Sequence, residues 1–165
     1  MCEHVLKVLT RGGLEHAVFG SAAGAVYGWS RPPRDIDIVV RCTSIHEVMA
    51  LFPHADRVPP NGLRLGDVEV WAAPLILRSG DRVHTLCFDH ALSTRRLAHP
   101  TFGWVLSAED QLTLKLTLRR DEPGKCDLDD AVALLRHWEG RLDRDYLAWR
   151  AEQTGVSDLV REVFS

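Results

Sequence analysis

The stretch FGSAAGAVYGWSRPPRDIDIVV (residues 19–40) decides how this chain is read. It joins a Gly-Ser pair to a run of small residues, passes two prolines, and ends in two aspartates one residue apart at the mouth of an apolar run. Strands bury apolar side chains and exclude carboxylates unless something compensates them. Side chains at i and i+2 of a strand share a face, so Asp35 and Asp37 aim at one point. Two carboxylates converging there repel each other until a proton or a cation lies between them. Mg²⁺ is the natural solution, because it takes oxygen ligands from a few carboxylates together with substrate phosphates. Two such ions about 3.5–4 Å apart clamp the attacking and leaving oxygens of a phosphoryl displacement.

Upstream, Gly20 and Ser21 close one predicted strand and open a predicted helix. The first N–H groups of a helix bind phosphate, glycine permits close approach, and the Ser21 hydroxyl adds a donor. A lone Asp-x-Asp pair is a weak signal; the ordered set of strand, Gly-Ser, helix, short loop, Asp-x-Asp and strand is a much stronger one. Plainer readings stand beside it. Ser21 also fits a helix N-cap, and Asp35 and Asp37 also fit turn and strand-start residues on a solvated face.

Working outward, the chain has 165 residues, enough for one domain with its own core, and a formal net charge of −3. That charge argues against a dedicated nucleic-acid binder while leaving room for a local basic patch. Cys2, Cys42, Cys87 and Cys126 are far apart with no C-x-x-C pair, which disfavours a zinc site and points to a reducing cytoplasm. The N-terminal MCEHVLKVLTRGG lacks the apolar core and cleavage site of a signal peptide. No run approaches the roughly 18 apolar residues a membrane span needs.

Periodicity predicts a helix over EHVLKVLT, a buried strand at HAVFG, a short helix at SAAGAVYGW, and a strand at DIDIVVRC. SIHEVMALF reads as a helix capped by Thr43 or Ser44. LRLGDVEVWAA reads as a hairpin turning at Gly66-Asp67. Residues 74–100 predict a short helix, a strand around Leu86 and a helix near DHALSTRRL. FGWVLS is a short strand, and SAEDQLTLKLTLRR is an amphipathic helix opened by Ser107 and Asp110. EPGK is a turn, and DLDDAVALLRHWEG, DRDYLAWRAEQTG and VSDLVREVF are helices. Mixed strands and helices followed by helices alone indicate an α/β (α+β) class. The expected architecture is a small mixed sheet with flanking helices over residues 1–106 and a helical C-terminal part over 107–165, packed as one compact domain.

The segment GSAAGAVYGWSRPPRDIDIVV resembles the signature of the nucleotidyltransferase superfamily, the DNA polymerase β-like fold. That pattern is Gly-Ser, a short helix, then Asp-x-Asp on the next strand. The family usually adds a third carboxylate on a later strand, and Glu69, flanked by Val68 and Val70, is the match; Asp67 shares its face but lies in the turn. Glu69 also fits the exposed face of an edge hairpin. Downstream, Glu109 or Asp110, Lys115, and Asp127 with Asp130 resemble a pattern in the branch that contains abortive-infection toxins and small bacterial nucleotidyltransferases. The chain departs from that branch with Cys126 before the last motif and Pro33 where Thr or Arg is common, although Arg31 and Arg34 stand near. Asp127 with Asp130 also fits a helix cap, and Lys115 also fits a solvated lysine.

The resemblance implies that Asp35, Asp37 and Glu69 ligate Mg²⁺, or Mn²⁺, as two ions, with Glu69 assisting deprotonation of the acceptor hydroxyl. It implies that Gly20, Ser21, Arg34 and Lys115 bind the nucleotide, with Arg31, Asp127 and Asp130 nearby. The implied reaction moves a nucleoside monophosphate from an NTP to a hydroxyl of tRNA, a protein or a small molecule, releasing pyrophosphate. The chain is short for the toxin branch, so an acceptor-binding part is either absent or supplied by a partner protein. Two other functions compete. One is a catalytically silent module of the same fold, against which the intact Asp35, Asp37 and Glu69 argue. The other is a sugar-nucleotide glycosyltransferase, which usually lacks the upstream Gly-Ser helix. Leu147, Val160, Val163 and Phe164 are expected either to pair with a second copy or to cover the domain's own sheet.

Overall fold

In the computed structural model, residues 1–29 and 32–164 are described; Arg31 lies outside them, as do Ser30 and Ser165. In chain order the elements are α1 (Cys2–Arg11), β1 (His16–Phe19), α2 (Gly20–Val26), β2 (Ile36–Val40), α3 (Ile45–Leu51), β3 (Asp56–Val58), β4 (Gly62–Leu65) and β5 (Val68–Ala72). There follow β6 (Leu75–Ser79), β7 (Arg82–Leu86), α4 (Asp89–Thr94), β8 (Leu97–His99), β9 (Gly103–Val105) and α5 (Ala108–Leu118). The chain ends with β10 (Asp121–Glu122), β11 (Lys125–Cys126), α6 (Asp127–Trp138), α7 (Arg144–Thr154) and α8 (Ser157–Val163). The predicted mixed α/β class is what forms.

Seven strands make one sheet in the order β3-β4-β5-β2-β1-β9-β8. The pairs β2–β5 and β1–β9 are parallel and the others antiparallel. The alternation that follows Asp35 sets the two faces. Ile38 and Val40 join Val18, Val68 and Val70 in the main core with α1 to α3, while Val39 joins Ala17, Phe19 and Trp71 in a smaller core on the opposite face. That smaller core is covered by Leu75 and Leu86 of β6 and β7, and by Ala91 and Leu92 of α4.

Residues 74–86 correct the sequence reading. The expected strand around Leu86 forms as β7, but β6 stands where a short helix is expected, and the two make a hairpin. The period-two run LILRS, the turn at Gly80 (φ +56°) and the run RVHTL give two strands in register, from Leu75 opposite Leu86 to Ser79 opposite Arg82. Pro74 ahead of the run and Gly80-Asp81 in its middle favour this over a helix. Strands β3 and β8 also form outside the expected set, three residues each.

Helix α5 corrects a second expectation. It is not amphipathic: all eleven of its residues are buried. Leu112 and Leu116 enter the main core, and Leu114 and Leu118 the smaller one. Its polar side chains find internal partners, which complete burial demands. Glu109 accepts the Asp143 N–H at 2.8 Å, Asp110 accepts the Tyr146 hydroxyl and lies 2.9 Å from Arg150 Nε, and Thr117 donates to the Thr113 carbonyl. The predicted Ser107 cap is present, accepting the Asp110 N–H at 3.2 Å. Leu147 and Val160 are buried in the main core, with Val163 and Phe164 packed against it, so the last two helices cover their own domain.

Gly24 sits mid-helix in α2 because Trp29 lies on it: a Cβ there would come within 1.8 Å of the indole. Alanine would gain helix propensity of about 1 kcal/mol, but relieving a buried contact this close costs more. We predict that Gly24→Ala lowers unfolding free energy by about 1–3 kcal/mol in urea titration; an unchanged or raised stability would show that Trp29 does not pack there.

Candidate active site

Registers fix one row of side chains across the sheet. Asp37 pairs with Phe19 of β1 and with Glu69 of β5, Glu69 pairs with Arg64 of β4, and Arg64 pairs with Asp56 of β3. Cross-strand partners share a face, so the row carries Asp37, Glu69, Arg64 and Asp56 side by side. Asp35 stands two residues before Asp37, just ahead of β2 and exposed. The sequence pair is thereby a pair in space, with Glu69 beside it on the next strand.

Gly20 takes φ +68°, and a Cβ on it would lie 2.7 Å from Asp37 Oδ2. The missing side chain is the room the Asp37 carboxylate occupies. The Gly20 N–H donates to Gln111 Oε1 of α5 at 3.2 Å, tying the Gly-Ser turn to the central helix. Ser21 does not cap α2, which starts at Gly20 with no side-chain cap. Its hydroxyl oxygen is buried with no hydrogen-bond partner among the described residues, and a buried unpaired hydroxyl costs about 1–3 kcal/mol. An orphaned donor at the wall of a cavity is one that a ligand can satisfy.

Gly20, Ser21, Arg34, Asp35, Asp37, Glu69 and Lys115 all line one cavity of about 1010 Å³. Sequence reasoning missed much of the remaining wall. The hairpin supplies Ile76, Leu77, Arg78 and Val83, and the Pro123-Gly124 turn with Lys125 and Cys126 of β11 supplies another part. Gly124, at φ +85°, leaves room for the Arg34 guanidinium, which would lie 2.3 Å from a Cβ there. Trp71 Nε1 donates to Asp37 Oδ1 at 3.2 Å. Trp71 lies two residues beyond Glu69 and so on its face, a signal the sequence held. The Gln111 contact had none.

Asp127 and Asp130 serve the site from behind. Asp127 is not an N-cap: α6 begins on it with no side-chain cap. Its fully buried carboxylate accepts from Lys115 Nζ at 2.7 Å, and from Arg120 through the backbone N–H at 2.9 Å and Nε at 2.8 Å. Asp130 Oδ2 lies 2.8 Å from the same ammonium, whose nitrogen also stands 4.7 Å from the Trp29 ring centre. Lys115 is therefore a buried, paired cation rather than a solvated one. Burial pushes the Asp127 carboxyl up, but Arg120 and Lys115 together outweigh it and hold the group below its ordinary value.

Asp37 shifts the other way. Burial first, then the neighbouring Asp35 charge, and more weakly Glu69, push its carboxyl up to about 7, against the Trp71 hydrogen bond and Arg120. Among the described residues no lysine or arginine lies within 4.0 Å of Asp35 or Asp37. Hard oxygens short of positive charge fit a divalent cation at this pair. Glu69 is engaged otherwise: its Oε1 accepts from Arg64 Nε at 2.9 Å and Nη2 at 2.5 Å. Accordingly, among the described residues no three acid, histidine or cysteine side chains converge as a ready ligand group.

No family model matches the sequence, and no curated protein matches it. Among solved structures, an antigenic nucleotidyltransferase-like protein from Paracoccidioides brasiliensis aligns with 98% of this chain and 86% of its own, at 14% identity and a TM-score of 0.48. No described helix is long and apolar enough to cross a membrane.

Asp127→Asn should lower stability at pH 7 by about 3–5 kcal/mol, because it leaves Lys115 and Arg120 short of a buried counter-charge. The folded-state pKa of Asp127 lies below the unfolded value near about 3.9, so its contribution is complete above that value and fades as pH falls through the folded one. Urea unfolding at pH 7 and pH 3 checks both points: the gap between wild type and variant should narrow at pH 3.

Proposed function

We propose that this protein is a metal-dependent nucleotidyltransferase that moves a nucleoside monophosphate from an NTP to an acceptor hydroxyl. The observation that carries the reading is the meeting of the Gly20-Ser21 turn, the Asp35/Asp37 pair and Glu69 in one cavity, with the Ser21 hydroxyl unpartnered at its wall. The sequence signature supports the same reading independently, and with it a place in the nucleotidyltransferase superfamily.

Asp35 and Asp37 would hold Mg²⁺ or Mn²⁺, with Glu69 joining them for a second ion. Bound there, the metal neutralises phosphate charge and polarises the α-phosphate. Ser21 would donate to a phosphate oxygen, and Arg34 and Arg120, also in the cavity wall, would meet the phosphate chain. Lys115, held by Asp127 and Asp130, acts as the fixed core of that wall. The acceptor oxygen attacks the α-phosphorus, the bond to the β-phosphate oxygen breaks, and pyrophosphate leaves. The hydroxyl proton passes to Glu69. Catalysis is then mostly positioning and charge stabilisation.

The acceptor is a hydroxyl of tRNA, a protein or a small molecule. The Lys115 and Asp127-x-x-Asp130 pattern favours the branch that includes toxins, working in the cytoplasm with or without a partner protein. A second reading has one observation in its favour. Glu69 bonded to Arg64 is what a silent nucleotide-binding module of the same fold would keep permanently.

Incubation with α-labelled NTPs, followed by separate counting of RNA, protein and small-molecule fractions, tests the proposal. Wild type should transfer label, and Asp35→Asn and Asp37→Asn should reduce transfer about a hundredfold or more. Both variants should keep the wild-type circular dichroism, with thermal midpoints unchanged or raised, since each relieves repulsion in the pair. Unfolding of either variant would make the aspartates structural. Nucleotide binding without transfer would favour the silent module.

Ser21→Ala separates a ligand role from a structural one. Removing an unpartnered hydroxyl should leave stability within about 1 kcal/mol of wild type or raise it, while weakening NTP binding about tenfold, as expected for a lost bond to a charged group. A variant that loses stability and keeps NTP affinity would contradict this.

A further inference from the structure

The row across the sheet runs, from its edge inward, Asp56, Arg64, Glu69, Asp37, one cation among three carboxylates. Arg64 stands between two carboxylates on neighbouring strands, bonded to one of them. Both guanidinium contacts fall on the same Glu69 oxygen, Oε1. The Glu69 side chain is 15% exposed and that of Arg64 54%, so the arginine is the partner free to move. Asp56 lies directly across β3 and is exposed, offering a second berth on the solvent side.

We propose that Arg64 is the resident counter-cation of the carboxylate row, and that divalent metal displaces it from Glu69 toward Asp56. This rests on the reading that Asp35, Asp37 and Glu69 bind divalent cation. A dication beside Asp37 repels the guanidinium two strands away and competes with it for Glu69 on the strand between. With Arg64 in place, Asp35 and Asp37 face a first cation while the third ligand is withheld. When Arg64 turns to Asp56, Glu69 is released into the site and the positive charge is kept on the sheet. The exchange makes metal affinity depend on two residues that never touch the metal.

Mg²⁺ alone, and separately Mn²⁺ alone, titrated by calorimetry into the nucleotide-free protein tests this. Removing the competitor with Arg64→Gln should tighten binding about five- to tenfold, and Arg64→Lys, which keeps the charge, should stay near wild type. Asp56→Asn removes the second berth and should weaken binding about two- to threefold. That loss should vanish in the Arg64→Gln/Asp56→Asn double variant, because the coupling runs through Arg64. If wild type binds and Asp37→Asn does not, but Arg64→Gln binds no more tightly, the exchange is wrong while the metal site stands. If Asp37→Asn binds as wild type does, or no variant binds, the metal reading fails and the exchange with it. The Asp56→Asn arm stands apart from the fold of Arg64→Gln: unchanged affinity there also overturns the exchange.

Discussion

A half-buried row of carboxylates inside a sheet is the constraint around which the rest is arranged. Asp37 sits where a strand would ordinarily bury an apolar side chain, between Phe19 on one side and Glu69 on the other. Its neighbours accommodate that placement one by one. Gly20 gives up its side chain, Trp71 turns its indole N–H toward the carboxylate, and Arg64 neutralises Glu69. None of these settles the charge on Asp35 and Asp37 themselves. Among the described residues no lysine or arginine ion-pairs with either carboxylate, and under the proposed function a divalent cation would supply that charge.

The second support is α5, which links the site to the helical part of the chain. One face reaches Gly20 through Gln111. Another holds Lys115 against Asp127 and Asp130 at the start of α6, and the N-terminal turn fixes α7 through Glu109 and Asp110. The polar residues of α5 would read as solvated, yet each is buried with at least one internal partner, although the Gln111 Nε2 group has none among the described residues. Pairing buried charges contributes less to stability than to fixing one arrangement, and breaking a pair is expensive. The cavity wall thus has a rigid back, in which Asp127 sets the positions of both Lys115 and Arg120.

The parts of this arrangement that follow local rules were legible in the sequence. The period-two alternation after Asp35 placed β2, and the Gly-Ser and Asp-x-Asp spacing placed two edges of the cavity. The expected turn at Gly66-Asp67 sets Leu65 opposite Val68 and Arg64 opposite Glu69, although the ion pair itself was not anticipated from it. What escaped depends on contacts distant in sequence. The Gln111–Gly20 bond spans 91 residues. The burial of α5 on every side comes from α6 and α7 packing over a face whose sequence is polar. The β6 half of the 75–86 hairpin escaped for a different reason: its apolar run is short, and period alone does not separate a strand from a helix over five residues. Asp127 fits both a cap and a buried anchor, and only the approach of Lys115 and Arg120 decides between them.

The most direct measurement is anomalous diffraction from crystals grown with Mn²⁺ and a non-hydrolysable NTP analogue. The account predicts Mn²⁺ between the Asp35 and Asp37 carboxylates, phosphate oxygens within hydrogen-bond reach of the Ser21 hydroxyl, and Glu69 released from Arg64. A cavity without Mn²⁺ at saturating concentration, or Mn²⁺ bound only away from Asp35 and Asp37, would contradict it.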